Sequence, residues 1–186
     1  VRSLATLGGN IAHGDPANDH PATMLALNAI VVVCGPNESK REINIDDFFL
    51  GPLWTALQEN EILTEIRIPK PQNDTGGCYL KLERKVGDYA IAAVAVNLEF
   101  DNGQCKSAGI ALTNVGPTPV RAKSAQNSLI GTDVTDEAIF QACEMAAEAS
   151  QPIGDHRGSE DYKRGVIKTL TGRAIRKAKS RAMGGN

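Results

Sequence analysis

The sequence predicts an α+β fold in two domains, residues 1–72 and 73–186, the second built on a three-stranded antiparallel sheet. Three observations predict it. Strand signals run over Cys78–Lys85, Ala90–Phe100 and Lys106–Thr113, and three consecutive strands favour antiparallel pairing. The last two are joined through Asp101-Asn102-Gly103-Gln104, where Asn-Gly tolerates the positive φ of a tight hairpin. Between Pro69 and Gly77 the composition shifts to Pro, Gln, Asn, Asp and Gly, as at a linker.

The first domain reads as follows. Residues 1–18 are rich in Gly, Asn, Asp and Pro and read as loop. Pro21 to Ile30 carries a helical apolar pattern (Met24, Leu25, Leu27, Ala29), with Asp19 placed as an N-cap and Pro21 in the first turn. Ala29 to Cys34 is a continuous apolar, β-branched run and reads as a buried strand. Gly35-Pro36-Asn37 turns the chain, and Arg41 to Ile45 suits a returning strand. Glu61 to Ile68 alternates with period two, the pattern of a half-buried strand, and stops at Pro69.

In the second domain the chain turns helical after Gly116-Pro117-Thr118-Pro119. Val120–Ile130 reads as a short helix ending at Gly131. Thr135–Ser150 is a second, with Thr135 as N-cap and Ala138, Ile139, Ala142, Cys143 and Ala146 at helical spacing. Glu160–Met183 is a third, basic towards its end (Arg173, Arg176, Lys177, Lys179, Arg181), which suits a helix C-terminus and a solvated face.

Composition narrows the function classes. With 41% hydrophobic and 23% charged residues, the 186 residues can bury a core. The net charge of −2 gives no electrostatic case for nucleic acid or a membrane surface. No apolar run approaches the roughly 20 residues of a transmembrane helix, and the N-terminal residues lack the pattern of a signal peptide. The four cysteines, Cys34, Cys78, Cys105 and Cys143, lie far apart without a Cys-x-x-Cys pair. That argues against an iron–sulfur or zinc site in the chain and for buried, reduced thiols in a cytoplasmic protein.

The segment richest in chemistry runs from Gly8 to Asp19. Paired glycines let a backbone approach a ligand and aim successive N–H groups at it, which suits a pyrophosphate. Asn10 adds an amide that donates and accepts, and Asp19 a carboxylate. Read alone, Gly8-Gly9-Asn10 is a weak signal, and a structural turn is its default reading.

The order of motifs along the chain is more specific. Thr6-Leu7-Gly8-Gly9-Asn10 is followed by Asp15-Pro16-Ala17-Asn18-Asp19, then by Asp47-Phe48-Phe49 with Gly51-Pro52, Glu61-Ile62-Leu63, and Tyr79-Leu80-Lys81-Leu82 with Gly87-Asp88-Tyr89-Ala90. Asn114-Val115-Gly116-Pro117-Thr118-Pro119 and Asp155-His156-Arg157-Gly158-Ser159 with Tyr162-Lys163 complete the series. This series resembles the FAD-binding (medium) subunit of the xanthine dehydrogenase and aerobic carbon monoxide dehydrogenase family of molybdenum hydroxylases, over nearly the whole chain.

The resemblance implies that residues 1–72 are the second subdomain, or C-terminal half, of a vanillyl-alcohol-oxidase-type FAD-binding domain. It implies that residues 73–186 are a C-terminal domain with the three-stranded sheet packed on helices. Thr6, Leu7, Gly8, Gly9 and Asn10 match the loop at the FAD phosphates. Ala12, His13 and Asp19 match positions lining the same site, Leu63 an apolar residue against the isoalloxazine, and Lys81 a basic residue near the flavin ring. A cation there would stabilise the negative charge a reduced flavin gains. Arg84, Lys85 and Asp88 would form a mobile loop at the flavin edge.

The implied role is electron transfer from iron–sulfur clusters on a small partner subunit, through FAD, to an external acceptor. The molybdenum cofactor would sit on a large partner, and the assembly would be a dimer of heterotrimers. The family's other glycine-rich pyrophosphate loop is not in this sequence, so the expectation is of a chain short of roughly a hundred N-terminal residues, the usual size of such a subdomain. On that expectation the chain alone holds FAD weakly or not at all. The alternative reading is a flavin-free structural module that docks partner subunits. His20 and His156 read as surface or structural residues, Asp15 as setting a turn at Pro16, and the lone Trp54 as a packing residue.

Overall fold

The computed structural model describes residues 3–72 and 74–185. The first element is one the composition argued against. Residues 7–13 form helix α1 (Leu7–His13) inside the stretch expected to be loop. Its two ends explain it. The Thr6 hydroxyl caps the start by accepting from the Gly9 N–H at 3.0 Å, and Gly14 closes the end in the left-handed region at φ 65°. Ile11, fully buried, supplies the anchor that two helix-poor glycines do not.

Helix α2 (Asp19–Ala26) follows. Its N-cap is Asn18, which makes no side-chain cap bond, and not the expected Asp19, which occupies the first helical position. The Asp19 side chain is thereby free to point elsewhere. Strand β1 (Ile30–Cys34) is the expected buried run, and β2 (Lys40–Asn44) the returning strand across a short 3-10 turn at Pro36–Glu38. A small hairpin of β3 (Phe49–Gly51) and β4 (Trp54–Thr55) precedes β5 (Ile62–Arg67). The first sheet has the order β2-β1-β5, antiparallel throughout.

Strand β5 departs from simple alternation. Val32 pairs with Glu65 and Val33 with Leu63, so Thr64 is the extra residue of a β-bulge. The bulge changes the phase of the strand: Leu63 and Ile66 pack against the core, whereas Ile62 and Ile68 are exposed. Trp54 likewise does not pack as expected; it is 64% exposed beside exposed Leu50 and Leu53.

The second sheet comprises β6 (Thr75–Leu82), β7 (Ala92–Asp101), β8 (Gln104–Thr113) and β9 (Val120–Arg121), in that order and antiparallel. The β7–β8 turn uses Asn102 and Gly103 at φ 51° and 81°, the doubly positive geometry a two-residue hairpin needs. The expected three strands are joined by a fourth, two residues long. Val120 and Arg121 pair with Leu112 and Ala111, so the helix expected from Val120 begins only at Lys123. A β-branched residue following Pro119 finds a free edge of β8 before any helix nucleates.

Helices α3 (Lys123–Leu129), α4 (Asp136–Ala149, capped by Thr135) and α5 (Glu160–Ala182, capped by Ser159) complete the chain. They cover one face of the second sheet, where Cys78, Val94, Val96, Leu98, Ile110 and Leu112 meet Leu129, Ile139, Ala142, Ile167 and Ile175. The basic end of α5 is more than a solvated face. Arg176 pairs with Asp136, Lys179 donates to the carbonyls of Asp133 and Val134, and Arg181 donates to that of Gly77. These bonds fasten the helix to its neighbours.

Helix α2, from the other end of the sequence, covers the opposite face. There the register aligns small residues in rows: Gly77–Asn97–Gly109, Tyr79–Ala95–Ala111 and Lys81–Ala93–Thr113. Gly109 lies so close to α2 that a Cβ would overlap the Ala26 carbonyl. Arg121 fastens the contact by donating to the Leu25 carbonyl (2.6 Å) and to both carboxylate oxygens of Asp46 (2.6 and 2.8 Å).

Candidate functional site

The third of those rows places Lys81 at the edge of the α2 contact, and the phase of β6 puts Tyr79 on the same face two residues away. Asp19, at the start of α2, faces both. Its Oδ1 accepts from the Tyr79 hydroxyl at 2.9 Å and its Oδ2 from the Lys81 ammonium at 2.9 Å. Lys81 also donates to the Asp88 carbonyl (3.1 Å) and lies 2.9 Å from Glu83 Oε2. Burial opposes the Lys81 charge, but the bonds to Asp19 and Glu83 outweigh it and hold its pKa above the ordinary lysine value. Burial pushes the Tyr79 phenol up as well, aided by the Asp19 charge, so the hydroxyl remains a donor.

A cleft of about 300 Å³ opens over this cluster, lined by Asn10, Ala17, Asn18, Asp19, His20, Lys81 and the turn Gly87-Asp88-Tyr89. Its α1 side is ordered by side chains. His20 Nδ1 stands 3.0 Å from Asn10 Oδ1, and the Asn18 amide donates to the Asn10 carbonyl at 3.1 Å. Asp15 accepts from the Ala17 N–H at 2.8 Å, which sets the turn between the helices. On the far side Asp88 takes the Tyr89 N–H at 2.8 Å and Arg84 at 3.2 Å, and the Tyr89 N–H, against the effect of burial, holds its carboxyl below the usual range. Arg84 and Asp88 thus belong to one hydrogen-bonded turn.

The ten residues singled out in the sequence divide. Asn10, Asp19 and Lys81 meet at the cleft. Gly8 and Leu63 meet nearby, since a Cβ on Gly8 would stand 3.3 Å from the Leu63 side chain, a consequence of the β5 bulge. Thr6 and Gly9 are joined by the cap, and with Leu7 and His13 they lie on the exposed side of α1; Ala12 is half-buried. The Gly-Gly segment is thus a helix start and not an open loop, which leaves the Leu7 and Gly8 N–H groups outside the helix's own bonding. Sequence reasoning passed over Tyr79 and Asn18 as cleft residues; His20, expected at the surface, is exposed and also lines the cleft. Tyr79 was findable, because a residue two before Lys81 on a strand shares its face.

The cysteines take no part. Cys78, Cys105 and Cys143 are buried and unpaired, Cys34 half-buried, and burial pushes the Cys105 thiol up to about 11. Among the described residues no cluster of three His, Cys, Asp or Glu could hold a metal ion, and no helix is long and apolar enough to cross a membrane.

Comparison with known proteins identifies the class to which this α+β chain belongs. Residues 1–71 match the family described as FAD binding domain in molybdopterin dehydrogenase. Residues 77–178 match the CO dehydrogenase flavoprotein C-terminal domain. The carbon monoxide dehydrogenase medium chain of Afipia carboxidovorans is 42% identical over 98% of this chain and 63% of its own length. A solved carbon monoxide dehydrogenase from Hydrogenophaga pseudoflava superposes with a TM-score of 0.93 at 44% identity, over 97% of this chain and 62% of that one. Quinoline 2-oxidoreductase from Pseudomonas putida 86 superposes at 0.88 with 32% identity, over 98% of this chain and 63% of that one. The chain belongs to the family of FAD-binding medium subunits of the carbon monoxide dehydrogenase and xanthine dehydrogenase type. It spans a little under two thirds of the length of these relatives.

Proposed function

We propose that this chain forms part of an FAD site in an electron-transfer subunit of a molybdenum hydroxylase. Residues 1–72 would supply the second subdomain of the FAD-binding domain and residues 73–186 the C-terminal domain. The observation that carries the reading is the convergence of Asp19, Tyr79 and Lys81 on a cleft beside Asn10, within a chain matched by both family domains.

The residues fit such a cofactor. The cleft is lined by side chains with donors (Lys81, Asn18) and acceptors (Asn10, Asp19), the two kinds of group that a ligand with ring N–H, carbonyl and hydroxyl groups requires. When bound, FAD supplies the capacity to take up and release electrons one or two at a time. Lys81 would hold positive charge at the flavin edge, and Asp19 would keep it aimed there. Leu63 and Gly8 would give an apolar wall and a close backbone approach, Thr6 to Asn10 would face the phosphates, and Ala12 and His13 would line the same site.

On this reading electrons arrive from 2Fe–2S clusters on a small partner subunit and leave for an external acceptor. The molybdenum cofactor is carried by a large partner, in a dimer of heterotrimers in the cytoplasm. The test is the visible spectrum of the complete subunit purified in its complex. Flavin absorption is expected, and Gly9→Val should lower the flavin content, because its Cβ would press on the Thr6 hydroxyl that caps α1. A complete subunit without flavin absorption leaves the flavin-free docking module as the reading.

A further inference from the structure

One buried charge lies outside the cleft yet leads to it. Lys163, on the first turn of α5, is 2% exposed, and its ammonium donates to the Ile153 carbonyl (2.9 Å) and to Asp155 Oδ2 (2.8 Å). A buried ammonium must be paired and hydrogen-bonded to be tolerated. What it fixes is a tight turn, Asp155 to Gly158, closed by two reciprocal backbone bonds of 3.1 Å. Asp155 Oδ1 accepts from the Arg157 N–H at 2.8 Å, so the arginine leaves the turn in one direction.

That direction is the cleft. The Arg157 guanidinium, 16% exposed, donates to the Tyr89 carbonyl (3.2 Å) and to Asp88 Oδ1 (3.3 Å), and lies 5.9 Å from the centre of the Tyr89 ring. Asp88, 10% exposed, passes the connection on, since its carbonyl accepts from Lys81 and Lys81 holds Asp19. A single line of charged and backbone contacts thus runs from α5 to the start of α2. Arg157 itself does not line the cleft.

We propose that Arg157 is a positioning residue. It grips the Gly87–Tyr89 turn at two points, holds it across the cleft mouth, and so keeps Lys81 on Asp19 and slows release of the bound flavin. The second half rests on the flavin reading given above. The planar guanidinium reaches the two acceptors with separate nitrogens, Nη1 on the Tyr89 carbonyl and Nη2 on Asp88, a span that the single nitrogen of a lysine does not reproduce.

The experiment uses the complete subunit in its complex with Arg157→Ala, Arg157→Lys and Asp88→Asn, and has two readouts. One is the rate of tryptic nicking after Arg84 and Lys85 in the flavin-free form. The other is the rate of FAD dissociation. Arg157→Ala is expected to raise both about tenfold, the effect of some 1.4 kcal/mol, with Arg157→Lys restoring less than half. Adding Asp88→Asn to Arg157→Ala should add less than the sum of the two single effects. Unchanged nicking in Arg157→Ala, or full restoration by lysine, overturns the two-point grip. Faster nicking with unchanged flavin release overturns the link from the turn to the flavin and leaves the positioning of the turn standing, whereas a complex that takes up no FAD overturns the flavin reading itself.

Discussion

The two faces of the second sheet are built from the same three long strands and do different work. The face towards α3, α4 and α5 carries Val94, Val96, Leu98, Ile110 and Leu112, large side chains that fill a core. The face towards α2 carries Ala93, Ala95, Gly109 and Ala111, and ends in Tyr79, Lys81 and Thr113. Burial of large apolar side chains stabilises by about 1.5–3 kcal/mol each, so the first face supplies most of the stability. The second gives up that burial for proximity. Small residues let α2 settle on the strands, and this brings Asp19 within hydrogen-bond reach of residues about sixty positions away. Strand alternation enforces the division, since a slip of one residue would exchange the two sets.

The comparison can be broken from either side. Ile110→Ala on the large face should have the greatest effect on stability, about 2–5 kcal/mol by chemical denaturation. It should leave FAD affinity in the complete subunit within a factor of two, roughly what residues acting independently permit. Gly109→Ala on the small face should cost about 1–3 kcal/mol, because α2 must move to admit the Cβ. Unlike the first variant it should weaken FAD binding, since Asp19 moves with the helix. Equal effects of the two variants on flavin affinity would dissolve the distinction between the faces.

A smaller effect sets the cleft apart from an ion pair with only a structural part. Arg41 donates to both Glu61 oxygens (2.7 and 2.6 Å) and to the Ala56 carbonyl, and holds the Glu61 carboxyl at about 2. The native carboxyl is depressed, so its contribution is complete above the ordinary carboxylate pKa and is lost as pH falls towards 2. Glu61→Gln should flatten that acid limb of the stability profile by about 1 kcal/mol or less, the range for partly exposed pairs. It should leave the pH dependence of flavin binding untouched.

How much of this was legible in the sequence depends on whether the signal was local. The Asn102-Gly103 hairpin, the Thr135 cap and the apolar run of β1 are written in neighbouring residues, and each formed where expected. Helix α1 was missed because its glycines argue against a helix while the caps that make one, Thr6 and Gly14, lie outside it. The exposure of Ile62 was missed because the bulge at Thr64 is defined by its partner strand and not by its own pattern. Strand β9 needed the edge of β8 to exist. In the site, Asp19 and Lys81 were separately nameable from the family motifs. Their contact with each other, and the line through Asp88 to Arg157, depend on the register of two sheets and the packing of two helices, which no local pattern encodes.

The most direct test is the FAD dissociation constant of the complete subunit carrying Asp19→Asn, measured by flavin fluorescence beside its melting midpoint. The amide keeps one acceptor oxygen and loses the negative charge, so it no longer accepts from both Tyr79 and Lys81, while the large face stays intact. Affinity is expected to weaken about tenfold, as for a charged hydrogen-bonded pair, with the midpoint lowered by only a few degrees. Unchanged flavin affinity, with or without a change in melting, would contradict that expectation.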